Sequence, residues 1–276
     1  MRKKNNIPNL MVNLFLIIAA VFCLMPLLLA LLNSFKTKGE LLTNVLSFPE
    51  KILFQNYIDT FEKMNYLSSL KNNVIIVVVG VSLIVLFSSM AGWKLSRTKT
   101  RFSKVLFALF VFSMLIPFSS IMIPLYRVVM NLGIKNSLWG LGVIYSGMGV
   151  SMAIFLYHGF VKSIPKELEE AAEIDGCNQF QLYFRIIFPM LKPVTVTICI
   201  TNVLWIWNDF LLPLVVLSKR DKYTLLLSTN MLFGQYSNDW TAILSALVLA
   251  AIPVIIFYAI FQKNILRGIS DGAMKG

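Results

Sequence analysis

Apolar residues in this chain gather into long uncharged runs instead of recurring at the spacing of a half-buried helix or strand. Residues 14–32, 74–93, 105–126, 138–157 and 240–261 each run 19 to 22 positions without Asp, Glu, Lys or Arg. A helix rises 1.5 Å per residue, so a run of about 20 spans roughly the 30 Å of a bilayer's hydrocarbon core. A sixth run, 193–218, is apolar apart from Asn202, Asn208 and Asp209 among its uncharged majority. Pro117, Pro124 and Pro253 fall inside runs, where they predict tolerated kinks. The pattern therefore predicts an all-α integral membrane protein with six transmembrane helices near 14–32, 74–93, 105–126, 138–157, 193–218 and 240–261. Residues 1–13 form the polar N-terminus, 14–262 the membrane domain and 263–276 a short tail. The basic start followed by 14–32 imitates a signal peptide, but the apolar part is too long and lacks a small-x-small cleavage site, so it reads as a retained span.

One polar island interrupts the C-terminal half, at 162–192, with its helical design in 166–193. Pro165 suits the first position of a helix, and Glu167, Glu169 and Glu170 favour its positive N-terminal end. At 100° per residue, Leu168, Ala171 and Ala172 share one face, while Glu169, Glu170 and Glu173 take the other. Gly176 then offers a residue tolerant of positive φ. A second stripe follows at Phe180, Tyr183, Phe184, Ile187 and Leu191, punctuated by Pro189 and Pro193. The island thus predicts a short helix, a sharp turn and a second amphipathic helix. Its small-residue face fits a docking element; the alternative is a helical connector.

Composition narrows the class. The chain of 276 residues is 57% hydrophobic and 14% charged, where soluble domains carry about a quarter charged residues. The net charge of +12 sits in separated clusters, which points to a membrane surface and away from nucleic acid. With the N-terminus inside, fifteen of the 25 lysines and arginines lie on inner segments, Lys94, Arg97, Lys99, Arg101 and Lys104 being the densest group. Both termini and the 162–192 island are then cytoplasmic. Cys23, Cys177 and Cys199 form no disulfide framework or metal spacing, and His158 is the only histidine. No phosphate-cradling G-x-x-x-x-G-K-[ST] loop occurs, so neither a nucleotide site nor any other cofactor is expected on this chain.

Glu170-Ala171-Ala172, three residues, Gly176, nine residues, Ile186, two residues, Pro189 resembles the EAA motif of ATP-binding-cassette (ABC) importer permeases. Phe188 stands where the family pattern has Leu. Ser34-Phe35-Lys36, Asn56-Tyr57, residues 92–97, Pro124-Leu125-Tyr126 with Leu132-Gly133, Trp207-Asn208-Asp209-Phe210 and the glycine-bearing C-terminal tail resemble landmarks of the carbohydrate-uptake branch. They cover nearly the whole chain and are most similar to the second-permease type, the MalG-like smaller subunit of maltose importers. Trp93 and Lys94 depart from the familiar Gly-Tyr-Ala-Leu-Ser-Arg spelling. The resemblance implies a type I ABC importer permease fold with a cytoplasmic EAA coupling helix in a bacterial cell membrane. It implies a sugar, of oligosaccharide kind, as cargo. It also implies four kinds of partner: a different permease, two ATPase subunits carrying ATP and Mg, an extracytoplasmic sugar-binding protein and lipid. Carried over residue by residue, Glu170, Ala171, Ala172, Asp175 and Gly176 become the ATPase contact, with Ile186 and Pro189 shaping the second helix.

Inside the runs, Asp209 and Asn208 stand out. A carboxylate at mid-helix costs about 2.5–3.5 kcal/mol on insertion scales and must face protein or water. Trp205, Asn208 and Asp209 are therefore candidates for a sugar pathway, with Trp207 as a further stacking surface; an interhelical polar contact is the competing reading. A carrier driven by an ion gradient is the alternative function and would rest on Asp209 alone. A membrane enzyme lacks a visible nucleophile–base pair.

Overall fold

A computed structural model of the chain describes residues 6–233 and 238–273. Among these residues the structure is helical, without strand. Arg2, Lys3, Lys4, Lys275 and Gly276, which entered the charge count or the tail landmark, lie outside the described residues.

The helices are α1 (Asn6–Ser34), α2 (Lys38–Thr43), α3 (Gln55–Lys63), α4 (Tyr66–Arg97), α5 (Arg101–Ser113), α6 (Phe118–Asn131), α7 (Leu138–Val161) and α8 (Glu167–Ile174). They continue as α9 (Gln179–Leu182), a π turn (Tyr183–Ile187), α10 (Phe188–Met190), α11 (Lys192–Trp207), α12 (Leu211–Val216), α13 (Leu225–Thr229) and α14 (Trp240–Ala273). Within α1, α4, α7 and α14 lie single segments long and apolar enough to cross a membrane. Counting each of two bent pairs, α5 with α6 and Gln179–Met190 with α11, as one span brings the number to six among the described residues.

Two of the predicted spans are not straight helices. The run 105–126 divides between α5 and α6, which meet at 103°. Pro117 lacks an N–H and biases the residue before it away from helical backbone, so α5 ends at Ser113 and Pro117 becomes the extended N-cap of α6. Pro124 and Pro253 instead stay inside α6 and α14. The run 193–218 stops at Trp207, restarts at Leu211 and ends at Val216. Asn208 and Asp209 interrupt it, as residues whose side chains compete for backbone groups do.

The chain divides into two compact units. The first combines the described residues of Met1–Tyr66 and Ser228–Pro253. Here the Ser34-Phe35-Lys36 and Asn56-Tyr57 landmarks converge. Asn56 Nδ2 donates to Ser34 O at 2.8 Å and Lys36 O at 2.9 Å, and the Ser34 and Tyr57 hydroxyls meet at 2.6 Å. Lys36 is fully buried, its Nζ donating to Asn44 O at 2.9 Å and to Val45 O at 3.3 Å. A buried ammonium must be hydrogen-bonded, and these carbonyls keep the loop after α2 folded back upon it. Thr37 and Glu40 form a capping box at the start of α2. Hydrogen bonds from Thr37 N–H, then Glu50 N–H and the Thr37 hydroxyl, hold the Glu40 carboxyl below its usual range.

The second unit combines Leu67–Leu227 with the described residues from Val254 onward. Its core is the packing of α4 on α7, where small residues let backbones approach, as membrane helices require. A Cβ built on Gly92 would stand 2.6 Å from Tyr157 Cβ, and one on Gly142 2.7 Å from Val79 Cβ. Leu141, Tyr145, Tyr157, Ile187 and Leu191 fill this core and are fully buried. Asn72 donates to Asp221 O and Tyr223 O, both at 2.9 Å, while Asn73 accepts from Leu225 N–H at 2.8 Å. These two side chains fasten the 219–225 loop to the start of α4.

Candidate functional site

The EAA island is built onto one stripe of α4. Ser89, Trp93 and Arg97 recur every four residues and therefore share a helix face. Arg97 donates from Nε and Nη2 to Glu169 Oε1, both at 2.7 Å, and from Nη2 to Ile164 O at 2.8 Å. Trp93 Nε1 donates to Glu169 Oε2 at 3.2 Å. One turn further back, the Ser89 and Tyr183 hydroxyls are hydrogen-bonded, and the Tyr183 ring lies 5.5 Å from that of Trp93. The two side chains of the ion pair are only 14% and 12% exposed. This arrangement corrects the expected faces of α8. Glu169 points inward with Ala172, whereas Leu168 and Ala171 are exposed. Apolar periodicity alone grouped Glu169 with Glu170 and Glu173, opposite Ala172; the guanidinium on α4 instead turns Glu169 inward beside Ala172.

α8 begins two residues after Pro165, with Lys166 as its N-cap. Its C-terminal turn ends at Gly176, whose φ is +83°. No atom lies within 4 Å of a Cβ placed there, so the backbone conformation and not space is what calls for glycine. Asn178 then opens α9 with a capping box shared with Gln181. Pro189 cannot donate to the carbonyl of Arg185, and the helix responds by widening: Phe188 N–H bonds Tyr183 O, five residues back. The π turn rotates the following residues. Tyr183, Ile187 and Leu191 enter the core, while Phe180 and Phe184 of the same expected stripe are exposed. Of the proposed coupling residues, Glu170, Ala171, Asp175, Gly176 and Pro189 are exposed, Ile186 is half-buried and Ala172 is buried. Glu169, Trp93 and Arg97 escaped the sequence reading as a group; the available signal was the departure at Trp93 in a familiar six-residue landmark.

The second candidate group lies where α11 breaks. Tyr145 on α7 donates its hydroxyl to Asp209 Oδ2 at 2.8 Å, and Leu211 N–H donates to Asp209 Oδ1 at 2.9 Å. The carboxylate thus faces protein and caps the first residue of α12, next to that helix's positive end. Trp205 meets Tyr145 edge-on at 5.4 Å and remains part-exposed. Asn208 is exposed and turns its amide onto Leu204 O at 2.8 Å. Trp205 and Asp209 are therefore brought together through Tyr145, a residue the sequence reading did not single out, while Asn208 stands apart. Tyr145 is one of few hydrogen-bonding side chains in its apolar run, which was the only clue to it.

Residues 84–271 match the model of a family described as the binding-protein-dependent transport system inner membrane component. The chain belongs to this family. Its helices are accordingly those of a multi-pass membrane permease. The chain is 40% identical over 94% of its length to a probable starch degradation products transport system permease protein of Thermoanaerobacterium thermosulfurigenes, again covering 94% of that protein. It is 35% identical, end to end in both, to the multiple sugar-binding transport system permease protein of Streptococcus mutans. A crystal structure of a bacterial ABC transporter that imports the acidic polysaccharide alginate contains a chain of similar fold, with a TM-score of 0.81 at 23% identity, covering 95% of this chain and 98% of that one. The type I importer permease fold is thereby established.

Proposed function

We propose that this permease carries a sugar, of oligosaccharide size, into the cell as one half of a heterodimeric membrane pore driven by partner ATPases. The names of the two relatives supply the substrate class. In this reading both termini and the 162–192 segment are cytoplasmic, in keeping with the bias of lysine and arginine. Two ATPase subunits hold ATP and Mg, a second permease completes the pore, and an extracytoplasmic binding protein delivers the sugar. Closure of the ATPase dimer moves the docked α8, and the ties from Glu169 to Arg97 and from Tyr183 to Ser89 pass that motion to α4. The spans then open outward, and hydrolysis resets them.

The observation that carries this reading is the two-sided character of α8. One side is fastened to α4 by a buried ion pair, while Leu168, Glu170, Ala171, Ile174 and Asp175 face outward. Ile174 is 86% exposed, an apolar side chain that only a docking partner would cover. Along the pathway, the part-exposed Trp205 supplies aromatic surface, backed by the buried Tyr145, and Asp209 an acceptor for sugar hydroxyls.

Isolation of the complex in mild detergent, followed by reconstitution, tests the proposal. ATP-dependent uptake of labelled malto-oligosaccharide with the binding protein present is the expected result. Uptake by this chain alone, driven by an ion gradient, would overturn it. Gly176→Val tests the docking turn. Forcing a β-branched residue to φ +83° costs roughly 1–2 kcal/mol or more, so less ATPase should be recovered with the permease while membrane insertion is unchanged. Equal recovery would remove Gly176 from the contact.

A further inference from the structure

Outside the EAA island and the long apolar runs, a cluster of exposed apolar side chains occurs between α1 and α4. Phe48 is 84% exposed, Ile52 61%, Phe54 64% and Ile58 52%, with Phe61 also exposed. Phe54, Ile58 and Phe61 recur at i, i+4 and i+7, so they form one stripe along α3. That stripe flanks the face α3 turns to its own unit, where Thr60 and Met64 are buried and Tyr57 is bonded to Ser34; Phe54 meets Phe35 edge-on at 5.4 Å and Phe61 stacks on Tyr66 at 4.8 Å, and each keeps an exposed side. A third face carries Gln55, Asp59 and Glu62, the first two joined by a hydrogen bond at 2.6 Å. The helix is therefore three-sided, with protein, polar and free apolar faces.

Its position relative to the neighbouring spans decides what covers the free face. Tyr57 and Asn56 are bonded to Ser34, the last residue of α1, and Ser245 of α14 donates to the same Ser34 carbonyl at 3.3 Å. At the other end, Lys63 pairs with Asp239 at 3.7 Å, immediately before α14, and Tyr66 donates to Leu249 O at 3.2 Å. Burial pushes the Asp239 carboxyl up, but bonds from the Thr241 hydroxyl and Ala242 N–H and the nearby Lys63 and Lys38 charges hold it below its usual range. α3 thus lies between Ser34, just past the end of the uncharged run of α1, and Asp239, just before the start of that of α14. Trp240, 44% exposed, sits in the same zone, as interfacial tryptophans do. The adjoining span of α1 has none of its best apolar window buried within the chain, so the α3 stripe continues a surface already given to the bilayer. A helix whose polar and apolar free faces lie side by side at that depth has the design of an interfacial anchor.

We propose that Phe48, Ile52 and the Phe54–Ile58–Phe61 stripe insert into the headgroup–acyl boundary of the membrane and make α3 a lipid-resting anchor for the first unit. The proposal does not depend on which sugar is carried or on which side of the membrane α3 lies. Site-directed spin labelling tests it in the complex isolated with its native partners and reconstituted in phosphatidylethanolamine–phosphatidylglycerol vesicles. With Cys23, Cys177 and Cys199 replaced by serine, a label is placed singly at 54, 58 or 61, and for comparison at 55, 59 or 62. Oxygen should outcompete a water-soluble nickel chelate as relaxant at the first three positions, and the order should reverse at the other three. Nickel accessibility at 58 equal to that at 59 would place the stripe in water and overturn the proposal. Protection of 54, 58 and 61 from both reagents would assign the stripe to a protein partner and overturn it equally.

Discussion

Arg97→Ala should release the EAA segment from α4 and lower the stability of the second unit by about 3–5 kcal/mol, the usual cost of leaving one member of a buried pair uncompensated. The guanidinium serves three acceptor interactions at once: two bonds to Glu169 Oε1 and one to Ile164 O. Its loss would strand a carboxylate that is 12% exposed and retains only the Trp93 N–H among these donors. The thermal midpoint of the detergent-solubilised complex checks the stability, and limited trypsin digestion at Lys166 checks the loosening. Glu169→Leu combined with Arg97→Met should recover much of the loss, because a buried pair replaced by apolar groups of like volume is often neutral. The double variant should still transport poorly if the directional bonds, and not packing alone, hold α8 in register. A single Arg97→Ala variant that melts with the wild type would show that the pair fastens nothing.

Gly92→Leu should be the most damaging single substitution at the α4–α7 contact. Even the first added carbon would lie 2.6 Å from Tyr157 Cβ, 3.1 Å from His158 N and 3.3 Å from Ile154 O. Two of these atoms belong to the backbone of α7 and cannot rotate away, so the helices must part. Overpacking of this kind costs about 1–3 kcal/mol, and more where backbone must move. Separation at Gly92 would also disturb Trp93, and through it the seat of Glu169. Gly147→Ala, on α7 with no atom within 4 Å of the new carbon, is the control and should melt at or slightly above the parent temperature. The paired thermal melts decide the matter: equal midpoints for Gly92→Leu and Gly147→Ala would mean the close approach contributes nothing.

The first prediction involves a residue, Glu169, that the linear pattern read differently. Periodicity placed Glu169 with Glu170 and Glu173 on one face, and Ala172 beside Leu168 on the opposite, docking face. Such a reading assumes that buried means apolar. Arg97, 72 residues earlier, supplies a buried partner that no local window contains. The Phe180–Leu191 stripe failed for a different reason: the expectation used 3.6 residues per turn, and the π turn before Pro189 inserts a wider one. Gly176 was legible because its requirement is local; a positive φ at a helix end selects glycine whatever lies nearby. Asp209 stood out by its cost in an apolar run, yet its hydroxyl donor came from Tyr145 on another helix.

What the sequence determined by itself is the membrane character, the six apolar runs, the family and the position of the turn in the EAA island. All of these follow from uncharged length, fixed motif spacing or backbone preference, which are properties of neighbouring residues. Only the tertiary structure decided which runs bend, which face of α8 is free, what neutralises Glu169 and where the apolar stripe of α3 points. Those depend on the meeting of residues far apart in the chain, where a single partner or a missing N–H outweighs the periodic pattern.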